Sequence, residues 1–166
     1  MPKSLEKEFI SFCESRDLEI NKNQIIVIKK LEQYYTINFK SFFSKLLSKK
    51  KSQKGFYLYG DVGVGKTMIL NFFFDQLDKR KLRKHFNEFM LNFHDFAHER
   101  KEKNEENIIN QFVKNLKSKA SLVYFDEFQV TNIVDAMILG KLFEQIFKED
   151  IKIILTSNTK ISDLYK

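Results

Sequence analysis

The chain has 166 residues, 43% of them hydrophobic, and a formal charge of +7. That is enough apolar material for one core. The single cysteine, Cys13, excludes an internal disulfide and fits a reducing compartment, and no apolar run approaches the roughly 18 residues of a membrane span. Only four of the 29 basic residues are arginine, and Lys, Ile, Asn and Phe are all abundant. The positive balance therefore reads as the codon bias of an AT-rich genome rather than as a surface built for nucleic acid. Met1 to Ile10 mixes Lys with Glu and has no apolar h-region, unlike a secretory signal or a transit peptide. A cytoplasmic location is expected.

Residues 4–48 read as a helical leader. Leu5, Phe9 and Phe12 form one apolar stripe, and Ile25, Ile28, Leu31 and Tyr35 another. Asn21 or Asn23 is placed to cap the second helix. Phe39, Phe42, Phe43, Leu46 and Leu47 make a third apolar face. The basic joint Lys49-Lys50-Lys51-Ser52-Gln53-Lys54 reads as a solvated linker. The predicted organisation is a leader over residues 1–50 and a core over residues 51–166.

Phe56 to Tyr59 is a short aromatic run that predicts a buried strand, and Met68 to Leu77 predicts a helix. Between them stands Gly60-Asp61-Val62-Gly63-Val64-Gly65-Lys66-Thr67, which fits the phosphate-cradling pattern G-x-x-x-x-G-K-[ST]. Each fixed position has a physical reason. The glycines let the backbone take positive φ and bring amides close to phosphate oxygens. The helix beginning near Lys66 adds unpaired N–H groups and a positive dipole end. Lys66 supplies an ammonium for the β- and γ-phosphates, and Thr67 a hydroxyl for Mg²⁺. Gly60 through Met68 is thus the candidate nucleotide-binding segment.

Arg83 to Met90 predicts a strand passing into a helix that carries His94 and His98. Residues 99–107 contain no apolar side chain and read as a solvated helix end or loop. Ile108 to Lys119 is again helical in period. Ala120 to Glu127 predicts a buried strand ending in two acids. Ile133 to Phe147 is amphipathic, with Val134, Ile138, Leu142 and Ile146 expected inward and Asp135, Lys141, Glu144 and Lys148 outward. Ile151 to Leu155 is a further strand, ending at Thr156-Ser157-Asn158. Strands separated by helices predict βαβ units and a parallel sheet, an α/β fold.

An apolar strand ending in Asp126 has the form in which a carboxylate supports Mg²⁺ beside a phosphate loop. The next acid, Glu127, is placed to orient and deprotonate a water, which favours hydrolysis over simple binding. Asn158, at the tip of the following strand, is a candidate for polarising the same water. His94 and His98 lie one helical turn apart with His85 nearby, a metal-ligand spacing. No cysteine accompanies them, so structural or partner-facing histidines are the expectation.

Three blocks carry a resemblance. They are Gly55 to Phe73, then His85-Phe86-Asn87-Glu88-Phe89-Met90 with His94 and His98, and Phe125-Asp126-Glu127-Phe128-Gln129-Val130 through to Gly140. Over about residues 20–166 the chain resembles the ZapE-type ATPases, bacterial proteins linked to division, and their mitochondrial Afg-type relatives, all P-loop proteins of the AAA-like group. Asn132 departs from the resemblance where an acid is expected, and residues 99–119 lack a Pro-containing segment usual there.

The resemblance implies an AAA-like parallel sheet with flanking helices, truncated after the fourth core strand. The strand order would be 5-1-4-3-2 without strand 5, which leaves Phe56 to Tyr59 at an open edge. It implies ATP and Mg²⁺ as ligands, held by Lys66, Thr67 and Asp126, with Glu127 as base and Asn158 as sensor 1. It implies a protein partner or a homo-oligomer. The family's C-terminal half, with an expected arginine finger, would lie beyond Lys166. Two other readings follow from that: a nucleotide-binding fragment that does not hydrolyse, and a helicase-loader-like ATPase associated with nucleic acid. Lys66→Ala is expected to abolish nucleotide binding with little loss of fold, checked by nucleotide titration alongside circular dichroism.

Overall fold

A computed structural model of the protein describes residues 4–39, 52–100, 104–130 and 133–164. The apolar face beyond Phe39, the lysines at 49–51 and Asn132 lie outside the described residues. Along the chain come α1 (Leu5–Glu14), α2 (Lys22–Phe39), β1 (Gly55–Tyr59), α3 (Lys66–Asp75), β2 (Lys81–His85), α4 (Phe86–Glu99), α5 (Glu105–Lys119), β3 (Leu122–Asp126), α6 (Ile133–Lys148) and β4 (Lys152–Ser157), then a 3₁₀ turn at Ile161–Asp163. They fall into two compact units. One holds the residues up to Phe56 together with Gly63–Asp78, and the other Tyr57–Val62 together with the residues from Lys79 onward.

In the first unit, helix starts are set by side-chain caps. Ser4 Oγ accepts the Lys7 amide of α1 at 3.4 Å. At α2, Asn21 Oδ1 accepts the Gln24 amide at 3.0 Å and Gln24 Oε1 accepts the Asn21 amide at 3.1 Å, a reciprocal box that satisfies two N–H groups the helix itself cannot. The stripes read from the sequence are buried here except at Phe12 and Ile25, which are half-buried. Leu5, Phe9 and Cys13 of α1 and Ile28, Leu31, Tyr34 and Tyr35 of α2 form a core with Ile69, Leu70, Phe72 and Phe73 of α3. Phe72 meets Phe9 edge-on with ring centroids 5.1 Å apart and lies 5.0 Å from Phe12. Burial pushes the Cys13 thiol above its ordinary pKa, which keeps it protonated and unreactive.

The sheet has strand order β1-β4-β3-β2, the predicted order 1-4-3-2. β2, β3 and β4 run parallel, with His85 opposite Asp126 and Phe125 opposite Leu155. Every residue of β3 is buried, as expected of a central parallel strand covered on both faces. On one face, Val123, Phe125 and Ile153 pack beneath α4, α5 and α6, whose Phe86, Phe89, Phe93, Val113, Leu142 and Ile146 complete a single apolar cluster. Aromatic side chains dominate it. Phe125 lies 4.5 Å from Phe89, and Phe128 lies 4.6 Å from Phe86 in an edge-to-face contact.

The inward face of α6 is the expected one except at its first turn. Leu139, Leu142 and Ile146 are buried, but Val134 is 64% exposed, as are its neighbours Ile133 and Met137 at 80% and 69%. Asp135 does not face away. It accepts a hydrogen bond from, or pairs with, His94 Nε2 at 2.9 Å. That contact ties the first turn of α6 to α4. Phe125→Ala, at a position with no exposed surface, is expected to cost about 3–5 kcal/mol of stability in urea unfolding followed by circular dichroism.

Candidate functional site

The glycine-rich loop follows β1 and leads into α3. Gly63 and Gly65 have φ of 83° and 87°, the left-handed region where a Cβ is disfavoured. At Gly65 space is limiting too, because a Cβ there would sit 3.0 Å from Gln24 Nε2. Gln24 is 8% exposed and donates to Val64 O at 3.5 Å, so the capping box of α2 also touches the loop. Gly65 is the N-cap of α3, and no side chain caps that helix. A glycine there has no side chain to occupy the space in front of the first turn, where backbone amides point out of the helix. Asp61, Val62, Val64 and Thr67 are exposed, and Lys66 and Met68 half-buried. A glycine-rich backbone, an uncapped helix start, a lysine and a threonine hydroxyl together fit a polyphosphate.

In the second unit, the C-terminal ends of β1, β4 and β3 meet at one sheet edge. Gly60 N–H, the first donor of the loop, bonds Ser157 O at 3.3 Å, and Tyr57 Oη donates to Thr159 O at 2.7 Å. The end of β4 in turn holds the end of β3. Thr156 Oγ1 donates to Asp126 Oδ1 at 2.6 Å and accepts the Glu127 amide at 3.1 Å. Thr156 O accepts the Phe128 amide at 2.7 Å, and Ser157 Oγ donates to Phe128 O at 2.8 Å. Asn158 stands exposed just beyond. The start of the loop, both acids and Asn158 thus share one edge.

Asp126 is 3% exposed, and a buried carboxylate is tolerated only with partners. Its second oxygen takes one from β2, where Arg83 Nη2 lies 2.6 Å from Oδ2. The guanidinium also stands 5.3 Å over the Tyr124 ring. Burial by itself would raise the Asp126 pKa. Hydrogen bonds from Thr156 and Arg83, with the Arg83 charge, outweigh it and hold the carboxyl below its ordinary value. Burial, and then the Asp126 charge, push the Tyr124 phenol well above its usual pKa. Glu127 is different in kind. Its side chain is 74% exposed, with His85 Nδ1 3.9 Å from Oε2, and its backbone is left-handed at φ 56°.

The expected Asp126, Glu127 and Asn158 are therefore brought together with Gly60. The chain reading did not single out Arg83, Thr156, Tyr124 or Gln24. Strand alternation and parallel register were the available signal, since positions two apart share a face and Thr156 follows Leu155, the partner of Phe125. Among the described residues no group of three or more His, Cys, Asp and Glu is arranged to hold a metal. His94 is engaged by Asp135 instead.

A family model described as AFG1-like ATPase matches residues 13–166. The chain belongs to the AFG1-like ATPase family. Among curated relatives of that family, lactation elevated protein 1 homolog B of Danio rerio is 39% identical over 129 residues, covering 72% of this chain and 26% of its own length. Cell division protein ZapE of Escherichia coli is 35% identical over 130 residues, covering 74% and 34%. The chain thus spans about a quarter to a third of the length of the curated relatives it matches. Solved structures share the fold. A DNA replication initiation factor superposes with a TM-score of 0.63 at 15% identity, over 99% of this chain and 44% of that one. AMPPCP-bound DnaA from Aquifex aeolicus superposes with a TM-score of 0.61 at 14% identity, over 90% and 43%.

Arg83→Met should leave a buried carboxylate without its cation and lower stability by about 2 kcal/mol at neutral pH. A carboxyl whose pKa is lowered on folding adds stability that is complete above its unfolded value near 3.8 and fades as pH falls through the folded one. Without the guanidinium, burial is left to raise the carboxyl's pKa in the variant, so the gap between variant and wild type should be full at neutral pH, begin to close as pH falls through the variant's raised value and finish closing through the lowered wild-type one, as read from urea midpoints across pH.

Proposed function

We propose that this chain binds ATP with Mg²⁺ and hydrolyses it, using the loop Gly60–Met68 for the phosphates and the acids at the end of β3 for the chemistry. The observation that carries this reading is the shared sheet edge of Gly60, Asp126 and Glu127, tied through Ser157 and Thr156 of β4. Membership of the AFG1-like ATPase family supports it. Lys66 would bind the β- and γ-phosphates, and Thr67 and Asp126 would hold Mg²⁺, as oxygen donors suited to a hard cation. When bound, that ion neutralises charge building up on the phosphate oxygens.

Glu127 orients a water in line with the γ-phosphorus. A bond forms from the water oxygen to phosphorus as the bond to the β–γ bridging oxygen breaks. The water's proton passes to the Glu127 carboxylate, and ADP leaves with that electron pair. The exposure of Glu127, at 74% of its side chain, suits a group that must meet water. Asn158 polarises the same water.

The chain is proposed to act in the cytoplasm as a helical leader, residues 1–50, ahead of a nucleotide-binding core, residues 51–166. Turnover would be coupled to a protein partner or to further copies of the chain. The division role named for the Escherichia coli relative is the cellular setting this reading favours, and nucleic acid is not its expected ligand. No described helix is long and apolar enough to cross a membrane. Glu127→Gln is expected to keep nucleotide affinity within about twofold while lowering turnover by about 10²–10⁴-fold, measured by phosphate release and nucleotide titration on the same preparations. Equal turnover by variant and wild type would replace hydrolysis with nucleotide binding alone.

A further inference from the structure

We propose that Thr156 is a positioning residue that aims Glu127. Its hydroxyl donates to Asp126, accepts the Glu127 amide, and so holds Glu127 in a left-handed backbone conformation. The inference rests on the reading of Glu127 as the base.

Glu127 has φ 56°, a conformation disfavoured for a residue with a Cβ. Such a conformation persists only where the surroundings over-determine it. Packing does not hold Glu127, because most of its side chain is exposed. Hydrogen bonds to one residue do. Thr156 is 2% exposed and ties three consecutive positions of the turn. It meets Asp126 Oδ1 and the Glu127 amide through its hydroxyl and the Phe128 amide through its carbonyl. The far end of the turn is pinned separately, by Ser157 Oγ on Phe128 O and by the Phe128 ring against Phe86.

The direction of the relay follows from charge. A hydroxyl has one proton and two lone pairs. Asp126, ionised and paired with Arg83, can only accept, so the Thr156 proton must point to it. The lone pairs are then left facing the Glu127 N–H, the one group there that can only donate. Arg83 thereby fixes the hydroxyl's orientation as well as the charge on Asp126. The β-branch of threonine adds stiffness, since its χ1 is restricted. The two acids are consequently positioned by one side chain on a different strand, and neither acid bonds the other in setting the turn.

The test uses the full chain with Thr156→Val, which keeps shape and removes the hydroxyl, and Thr156→Ser, which keeps the hydroxyl. Amide exchange by NMR reads the hydrogen bond directly, and ATP turnover reads its consequence. In Thr156→Val the Glu127 amide should exchange at least about tenfold faster while Phe128, bonded to the retained carbonyl, is unchanged. Turnover should fall about 10- to 100-fold with KM for ATP within twofold. Thr156→Ser should return both to within about threefold of wild type. Unchanged exchange at Glu127 in the valine variant, a loss confined to KM, or a serine variant no better than valine would each overturn the inference. A wild-type chain without turnover would instead overturn the reading of Glu127, and the exchange measurement would still decide whether Thr156 holds the turn. If the valine variant does not fold, the exchange rate at Glu127 in Thr156→Ala, which also lacks the hydroxyl, carries the same decision.

Discussion

A negative charge sits at the end of a strand with no solvent on either face. Asp126 terminates β3, and all five residues of that strand are buried. Water cannot stabilise the carboxylate there, so protein donors must. They come from the two flanking strands: Arg83 from β2 and Thr156 from β4. Each donor reaches Asp126 only if the neighbouring strand is parallel and in the observed register, because a slip of one residue would turn Arg83 or Thr156 to the opposite face. The need to satisfy one buried carboxylate and the need to assemble a site are thus met by the same register.

The glycine-rich loop is governed by local geometry instead. Positive φ at Gly63 and Gly65 and an uncapped start to α3 follow from nearest-neighbour sterics. The tertiary contribution is small and specific. Gln24 closes the capping box of α2 and reaches Val64 O. The Val64–Gly65 peptide is planar, so its carbonyl and the Gly65 N–H point in opposite directions. Holding the one constrains the other. The glycine at 65 is accordingly required twice, by its φ and by the 3.0 Å a Cβ would leave to Gln24.

The parts most legible from the chain were those with a strong local signature. The parallel sheet followed from alternating elements and its strand order from the resemblance, and β3 was plain from an unbroken apolar run closed by two acids. α6 was less so. Its periodicity put Val134 on the inward face, but a helix with apolar residues at positions 133, 134, 137, 138 and 139 has more than one face that would serve. Asp135, expected outward, is paired with His94, and a contact 41 positions apart in the chain leaves no periodic trace.

By itself the sequence determined the glycine-rich loop, the acids at the strand end and the α/β alternation. These depend on glycine conformational freedom, on helix and strand period, and on the chemistry of residues close in the chain. Only the tertiary structure decided that Asp126 is paired with Arg83, that Thr156 joins the two acids, and that Glu127 leaves the strand in a left-handed turn. Arg83 and Thr156 are an ordinary cation and an ordinary strand residue in the linear chain. They acquire their roles because a buried charge must find its donors on whichever strands the register brings beside it.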